Sequence, residues 1–590
     1  MTQWIAGITR GHNGATCLLK DGEIVFYVEE ERLSRKKYDG GPLAGMLKIK
    51  EYTDKLDFLV VAHTQSLDTA GKIDFIGDDI YTGWARKLGL IDQHFNGQHH
   101  PQVVDLGMIH HELHAACAFY NSGFETAACL IVDGAGTFIP LGDGGEIGWE
   151  LETIFAASYP ANFSTKYKHI GVRGPKPAHI QYDAPHDFRG KPEDLHDVIF
   201  TDHAGITKCY EAMTDYCGFS FIEAGKAMGL APYGKKNDKI PPIFLGGEGR
   251  HLSNRNLFTP NYPNGAYVDK VAFPDIDGDT LELKMDVAYA VQHACEEQIV
   301  RLIIDASERT GEKNVVIAGG FGLNCVGNYE YLKHLPDDIN LYIEPISHDG
   351  GTCIGAAKLI YHDVTKDTTL RPHKNIYYGP NYFEKDGDYQ ILLQDEETIV
   401  DVTVADIAKL ISEENIVCMY QGGSEAGPRA LGNRSILFDP RVKDGKDIVN
   451  DVKHREWFRP FAGTILEENV HEWFDLRGMA KTPYMMYAVN CNEGVEDQIP
   501  SIIHVDGTCR IQTVSLEENI NYYNLIEEFN KITGVPILFN TSFNLGGDPL
   551  VETIDDAFDT LRRSDLRYLY LPEVGKLITI PNNSTIAIVE

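Results

Sequence analysis

Residues 314–328 read NVVIAGGFGLNCVGN. Asn314–Ala318 is a short β-branched run, Gly319-Gly320 stops it, and a helix begins in the residues that follow; the pattern predicts strand, glycine turn, helix. Residues 346–357, ISHDGGTCIGAA, vary the theme, with Asp349 before two glycines and a helix of small residues. Upstream, residues 127–138 read AACLIVDGAGTF, in which Ala127–Val132 is a buried strand and Asp133-Gly134-Ala135-Gly136 its turn. A carboxylate at the carboxyl end of a strand, followed by glycines, can hold a metal or approach a phosphate. The plain alternative for this last turn is a hairpin turn.

The N-terminal residues share this grammar. Residues 4–11, WIAGITRG, form a strand and turn, and residues 15–31, ATCLLKDGEIVFYVEEE, form two strands joined by Asp21-Gly22. His12-Asn13-Gly14 sits at the first strand-to-turn junction, where α/β sheets bind ligands; a turn histidine bonded to backbone is the alternative. LDFLVVA (56–62) is a further buried strand. HHELHAA (110–116) is helical, so His110 and His114 share a face as two ligands of one metal must, or else form a structural pair. The zincin pattern fails, because Ala115 stands where its second histidine is needed. Residues 223–234, EAGKAMGLAPYG, read as a glycine-rich loop with one lysine, Lys226, and not as a Walker A sequence. The ordered set predicts an α/β chain whose N-terminal domain is actin-like (sugar-kinase-like), an ATPase fold in which glycine turns pinch a nucleotide between half-domains.

From 361 to 400 the chain turns polar and reads as a linker; the expected organisation is a domain over 1–365, a linker over 366–400 and a second α/β domain over 401–590. The second domain carries an unusual stretch from Gln421 to Gly463, with Arg429, Arg434, Arg441, Lys453, Arg455 and Arg459 among glycines and apolar residues. Guanidinium forks match phosphate and carboxylate oxygens two at a time, and glycine lets backbone N–H groups come close, so the stretch fits a small phosphate ester. For Arg429 the alternative is a structural salt bridge, and for Lys226 a solvated loop lysine.

The 590 residues, 43% hydrophobic and 24% charged, describe a globular protein of several domains. The net charge of −34 opposes duplex nucleic acid and anionic membranes as partners. Eleven cysteines with no Cys-x-x-Cys argue against a zinc ribbon or disulfide scaffold, and the start has no signal-peptide pattern, so a cytoplasmic location is expected.

These motifs together resemble the O-carbamoyltransferases of nodulation-factor and cephem biosynthesis. In the N-terminal half the resemblance is carried by GHNGATCLLKDG, EEERLSR, HHELHAA, VDGAG, GKAMGLAPYG, GGFGLNC and HDGG; in the C-terminal half by QGGSEAGPRALGNRSIL, VKHREWFRPFA, HVDGTCRIQTV and NTSFNLGGDP. It implies a YrdC-like C-terminal domain that makes carbamoyl adenylate from carbamoyl phosphate and ATP (with Mg(II)). It also implies an N-terminal domain, related to tRNA threonylcarbamoyl transferases, that passes the carbamoyl group to an acceptor hydroxyl. Carried over by position, His110, His114, Asp133 and Asp349 hold a divalent metal, Fe(II) first, with Mn(II) or Zn(II) also compatible. Asp133, Gly134, Lys226, Gly320, Asn324 and Gly351 surround the adenylate; His12 is the general base; Arg429, Lys453, Arg459, Arg510 and Asn540 hold carbamoyl phosphate and ATP, with Arg429 also catalytic.

The chain departs from the family pattern at Asn13 and Gly14, at Gly423 in place of an arginine, at Ala426 in place of an aromatic and at Gly463 in place of a proline. A non-catalytic nucleotide-binding scaffold and a threonylcarbamoyl-type tRNA-modifying enzyme are the competing readings. The acceptor, a small molecule, saccharide or hydroxymethylated nucleotide, is not written in any motif, and a homodimer stays open. Tyr81, Trp84, His99, Tyr167 and His179 fall in the segments expected to shape its pocket.

Overall fold

Asp21 and Gly22 take φ values of +51° and +84°, the twist a two-residue hairpin requires. In the computed structural model of the chain this hairpin forms one edge of a five-stranded sheet. The structure describes residues 2–65, 67, 78–93, 100–140, 147–172, 197–246, 252–254, 257–260, 266–268, 280–382 and 389–581. They divide into two compact units, one of residues 1–30 and 38–373, the other of residues 31–37 and 374–590. Of the stretch read as a linker, residues up to 373 therefore lie in the first unit, and Thr398–Asp401 is a strand of the second.

The first sheet of the first unit holds β1 (Trp4–Thr9), β2 (Ala15–Lys20), β3 (Glu23–Glu29), β4 (Phe58–Ala62) and β5 (Val103–Asp105), in the order β3-β2-β1-β4-β5. Strand β2 is antiparallel to both neighbours, and β4 and β5 run parallel to β1. The second sheet holds β6 (Thr126–Val132), β7 (Phe138–Pro140), β8 (Ile147–Ser158), β9 (Asn162–Val172) and β10 (Val198–Thr201). A separate ribbon of β11 (Phe258–Pro260) and β12 (Ala266–Val268) follows, and β13 (Asn314–Ala318) and β14 (Asn340–Ile343) complete the second sheet. Within it β8 is antiparallel to β6 and β9, while β13 and β14 run parallel to β6. Strands β6, β8, β9, β13 and β14 thus repeat β1 to β5 one for one. This duplication is the actin-like plan that the glycine turns predict.

The helices His110–Ser122 and Thr352–Thr365 pack on each other, the first also against β6 and β13 and the second against β1, β2 and β4. Both are buried along most of their length, as helices between two sheets must be. Their close approach depends on Gly355, where a Cβ would stand 1.9 Å from the Leu113 carbonyl oxygen. At the end of β13, Gly319 adopts φ +93°, and a Cβ there would stand 2.3 Å from the Val132 oxygen. Gly319→Ala is expected to lower unfolding stability by about 3 kcal/mol, through backbone strain and overpacking together, and a denaturation curve checks it.

Residues 223–234 differ from the expected loop. Ala224–Leu230 is a helix, because alanine, lysine, methionine and leucine are strong helix formers and its two glycines do not suffice to break it. Among the described residues, no helix is long and apolar enough to cross a membrane, and all eleven cysteines are free thiols, so no disulfide scaffold exists.

The second unit is built on a ten-stranded mixed sheet. Its strands are β15 (Thr398–Asp401), β16 (Val417–Tyr420), β17 (Arg434–Phe438), β18 (Ala462–Leu466), β19 (Phe474–Asp475), β20 (Ala488–Cys491), β21 (Thr508–Val514), β22 (Ile537–Ser542), β23 (Tyr568–Leu571) and β24 (Lys576–Thr579). The order β15-β24-β23-β16-β17-β22-β18-β21-β20-β19 places β17, β22, β18 and β21 side by side, and these strands bring the arginine-rich stretch against Arg510 and Asn540.

Candidate functional site

In the first unit, polar groups collect at the carboxyl ends of the central strands. The chain leaves β1 through Gly11 to His12, leaves β6 at Asp133, and passes beyond β14 to Asp349. The helix after β5 begins at His110, and its period brings His114 onto the same face. The His110 backbone N–H donates to Thr137 Oγ1 at 3.0 Å, fixing the start of the helix.

These four side chains converge. His110 Nε2 lies 3.2 Å from His114 Nε2, and 3.6 Å from both Asp133 Oδ2 and Asp349 Oδ1. His114 Nε2 is 3.6 Å from the same Asp349 oxygen. One donor atom from each residue lies within 4.8 Å of the others. Donors held about 2.0–2.2 Å from one centre stand roughly 3–4 Å apart, so a His2Asp2 group of these dimensions could hold a divalent ion. The cluster is buried, with His110 1% and His114 0% exposed. Burial works against a charged His110, but the two carboxylates outweigh it and push the imidazole up to about 10. Burial likewise opposes ionisation of Asp133 and Asp349, and the facing histidines hold both carboxyls below the usual range.

The neighbours orient this group. Asp133 Oδ1 accepts the Gly320 N–H at 3.0 Å, leaving Oδ2 to His110. Asp349 turns its second oxygen to His12, whose Nδ1 is 3.7 Å away and whose side chain is 53% exposed. Behind Thr137, Glu150 accepts its N–H at 2.8 Å and pairs with Lys168 at 2.6 Å. Burial opposes the Glu150 charge, yet Lys168 and His111 bring its carboxyl down to about 2. His111 itself faces Thr153 Oγ1 at 2.7 Å, away from the histidine pair.

The residues expected around a nucleotide divide. Gly320 spends its N–H on Asp133. Asn324 caps the helix Cys325–His334 through Gly327 N–H at 3.0 Å and exchanges hydrogen bonds with Gln292. Gly351 bonds His348 O, and a Cβ there would stand 2.1 Å from Ile346 O, so its small size serves packing. Lys226 pairs with Glu223 at 2.9 Å. Gly134 lies against an ion pair that the sequence reading missed, Lys208–Glu211 at 2.7 Å; a Cβ at Gly134 would stand 3.7 Å from Lys208 Nζ. Its only sequence signal is the i, i+3 spacing within the helix Ile206–Tyr216. Of the aromatics expected near an acceptor, Tyr167 is buried with Arg309 over its ring, Tyr81 is buried, and Trp84 donates to Leu43 O. His99 and His179 lie outside the described residues.

In the second unit the cations sort into two kinds. Arg434 is fully buried, stacks 3.7 Å from the Tyr420 ring centre, and donates to the carbonyls of Gln421, Gly422, Asn433 and Glu552. Arg441 is paired with Asp439. These two hold the fold. Arg434→Met is expected to cost about 2–3 kcal/mol, because it strands several buried carbonyls, and thermal denaturation tests it. Glu425 shapes the same loop by accepting the N–H groups of Leu431, Asn433 and Arg434 on one oxygen. From residues 31–37, Arg32 donates to the Glu425 and Gly427 carbonyls.

Lys453, Arg455, Arg459 and Arg510 gather with the carboxylate of Glu456 beside them. Lys453 is 1% exposed, donates to Ser542 O and to Asn544 Oδ1 at 3.2 Å, and is driven well below the usual lysine range by burial with Arg455 and Arg459 nearby. Burial together with Arg459 and Arg510 brings Arg455 down to about 9. Its guanidinium meets the Phe461 ring at 5.3 Å and makes no hydrogen bond or ion pair among the described residues. Arg510 Nε is buried with no partner among the described residues. Arg459 has Glu456 at 3.4 Å. Asn540 is fully buried; its amide nitrogen donates to Ala430 O and Thr464 Oγ1, and its amide oxygen has no partner among the described residues. Crowded buried cations are costly unless an anion joins them, so the arrangement suits a polyanion. At Gly423, a Cβ would stand 2.4 Å from Gly379 O, which accounts for the absence of an arginine there.

The sequence matches two family models, described as Carbamoyltransferase N-terminus over residues 62–358 and Carbamoyltransferase C-terminus over residues 408–576. It is 30% identical to nodulation protein NolNO of Sinorhizobium fredii, over 94% of this chain and 77% of that one. It is 31% identical to nodulation protein NolO of Bradyrhizobium diazoefficiens, over 78% of this chain and 77% of that one. Among solved structures, HypF of T. kodakarensis aligns with a TM-score of 0.32 at 13% identity, covering 62% of this chain and 48% of that one.

Proposed function

The chain belongs to the carbamoyltransferase family, and on that footing we propose that it is an ATP-dependent O-carbamoyltransferase working in two steps. In the first, water cleaves carbamoyl phosphate to carbamate and phosphate. A carbamate oxygen then attacks the α-phosphorus of ATP and pyrophosphate leaves, giving carbamoyl adenylate. Arg429, Lys453, Arg459 and Arg510, with Arg455 beside them, neutralise the two anions and hold them in line. The unpartnered Asn540 amide oxygen supports the placement, since a carbamoyl NH2 would supply the missing donor.

In the second step the acceptor's hydroxyl oxygen attacks the carbamoyl carbon and AMP leaves. His110, His114, Asp133 and Asp349 would hold a divalent ion, with Fe(II) the first candidate and Mn(II) or Zn(II) compatible with the same donors. Such an ion supplies Lewis-acid chemistry at the carbamoyl or phosphate oxygen. His12, open to solvent and 3.7 Å from Asp349, takes the hydroxyl proton. Gly134 and Lys226, with Lys208 added, are placed on the adenylate, while Gly320, Asn324 and Gly351 shape the turns around it. The acceptor is a hydroxylated small molecule, saccharide or hydroxymethylated nucleotide.

The observation that carries this reading is the meeting of one donor atom from each of four residues, drawn from three separated segments, within 4.8 Å, with His12 at its rim. The test is to supply the full chain with carbamoyl phosphate, ATP and a panel of hydroxylated acceptors. Pyrophosphate release together with an acceptor gaining one carbamoyl mass is expected. A chain that binds nucleotide but releases no pyrophosphate, or that requires bicarbonate and threonine, would refute it.

A further inference from the structure

One polar side chain at the edge of the transfer site has no role so far. His63 follows β4, which runs parallel to β1 with Ala62 opposite Thr9. This register sets His63 beside Arg10 and Gly11, just short of His12. The Arg10 N–H donates to Ala62 O, and a Cβ built on Gly11 would stand 4.0 Å from His63 Cδ2.

The imidazole is oriented by its own loop. The Gln65 N–H donates to His63 Nδ1 at 3.2 Å, and the Arg10 guanidinium holds Gln65 O at 3.1 Å. A ring nitrogen that accepts an N–H carries no proton, so the neutral ring bears its proton on Nε2. Burial, followed by the Arg10 and His110 charges, brings His63 down to about 4, against the opposing pull of the Asp349 carboxylate. With Nδ1 facing the Gln65 N–H, the ring is left to donate through Nε2.

We propose that His63 is a catalytic residue of the transfer step, its Nε2–H donating to the carbamoyl carbonyl oxygen while His12 receives the acceptor's proton. As the acceptor oxygen bonds to carbon, the carbonyl electron pair moves onto this oxygen and is stabilised there. When the pair returns, the bond to AMP breaks; His63 keeps its proton throughout. A neutral imidazole fits this position, because an imidazolium would face the Arg10 cation. The proposal rests on the transfer site placed in the first unit above.

The test uses 5′-O-(N-carbamoylsulfamoyl)adenosine, an unreactive analogue that carries the carbamoyl carbonyl, and AMP, which lacks it. Binding is measured by calorimetry on the metal-loaded full chain carrying Arg510→Met, which weakens anion binding in the second unit. His63→Leu is expected to weaken the analogue about threefold to tenfold, the worth of one hydrogen bond, and to leave AMP unchanged. His63→Gln, whose amide N–H reaches the same place, is expected to restore analogue binding. The proposal is overturned if His63→Leu binds the analogue as tightly as its parent, if it weakens AMP equally, or if His63→Gln fails to restore what His63→Leu loses. If the parent binds neither molecule, the placement of the transfer site fails first, and the role of His63 with it.

Discussion

Asp349→Asn is expected to slow carbamoyl transfer by at least about 10³-fold, the several kcal/mol that a Lewis acid supplies, while pyrophosphate release continues at the wild-type rate. The asymmetry follows from where Asp349 sits. One of its oxygens is 3.6 Å from both imidazole nitrogens and the other is 3.7 Å from His12, so in the proposed mechanism a single carboxylate would serve both the ion and the base. Asparagine keeps the shape and removes the charge. The variant should therefore fold, lose its bound metal, and leave His12 without its anionic partner. Metal analysis and a transfer assay on the same preparation read both effects. Normal transfer by a metal-depleted Asp349→Asn protein would remove the ion from the chemistry.

The second large effect is expected in the other unit. Arg510→Met should reduce pyrophosphate formation by about 10³-fold, the scale seen when a cation that stabilises phosphoryl-transfer charge is lost, and should leave metal content untouched. The side chain stands on β21, whose strand neighbours β18 and β20 hold it rigidly. Its Nε is buried without a partner among the described residues, beside Arg455. Removing one of several mutually repelling buried cations relieves repulsion, so the melting temperature should stay level or rise. A structural arginine behaves oppositely, as Arg434→Met should by losing stability. If Arg510→Met lowered the melting temperature and kept pyrophosphate formation, Arg510 would be a structural residue as well.

Much of the fold was legible because its signals are local. Asp21-Gly22 permits only a tight turn, and the strand–glycine–helix rhythm around Gly319 and Asp349 reflects the parallel strands of a twice-repeated sheet. The His110–His114 pair was legible because a helix sets its geometry without tertiary help. What escaped depends on the neighbourhood. Nothing in residues 421–463 separates Arg434, which satisfies four carbonyls, from Arg455, which satisfies none; only the packing against Tyr420 and Phe461 tells them apart. The Ala224–Leu230 helix was hidden by its glycines. Lys208–Glu211 lies in an unremarkable amphipathic helix, and its place beside Gly134 is set by tertiary contact. His63 stands one residue past β4, whose sequence signal is its apolar run alone.

The central claim is that the cationic pocket makes a mixed anhydride of carbamate and AMP. It is tested most directly by identifying every phosphorus-containing product, by phosphorus NMR, when the full chain acts on carbamoyl phosphate, ATP and Mg(II). The account predicts AMP or carbamoyl adenylate, with one pyrophosphate and one phosphate for each ATP consumed. ADP as the nucleotide product, with no pyrophosphate, would contradict it.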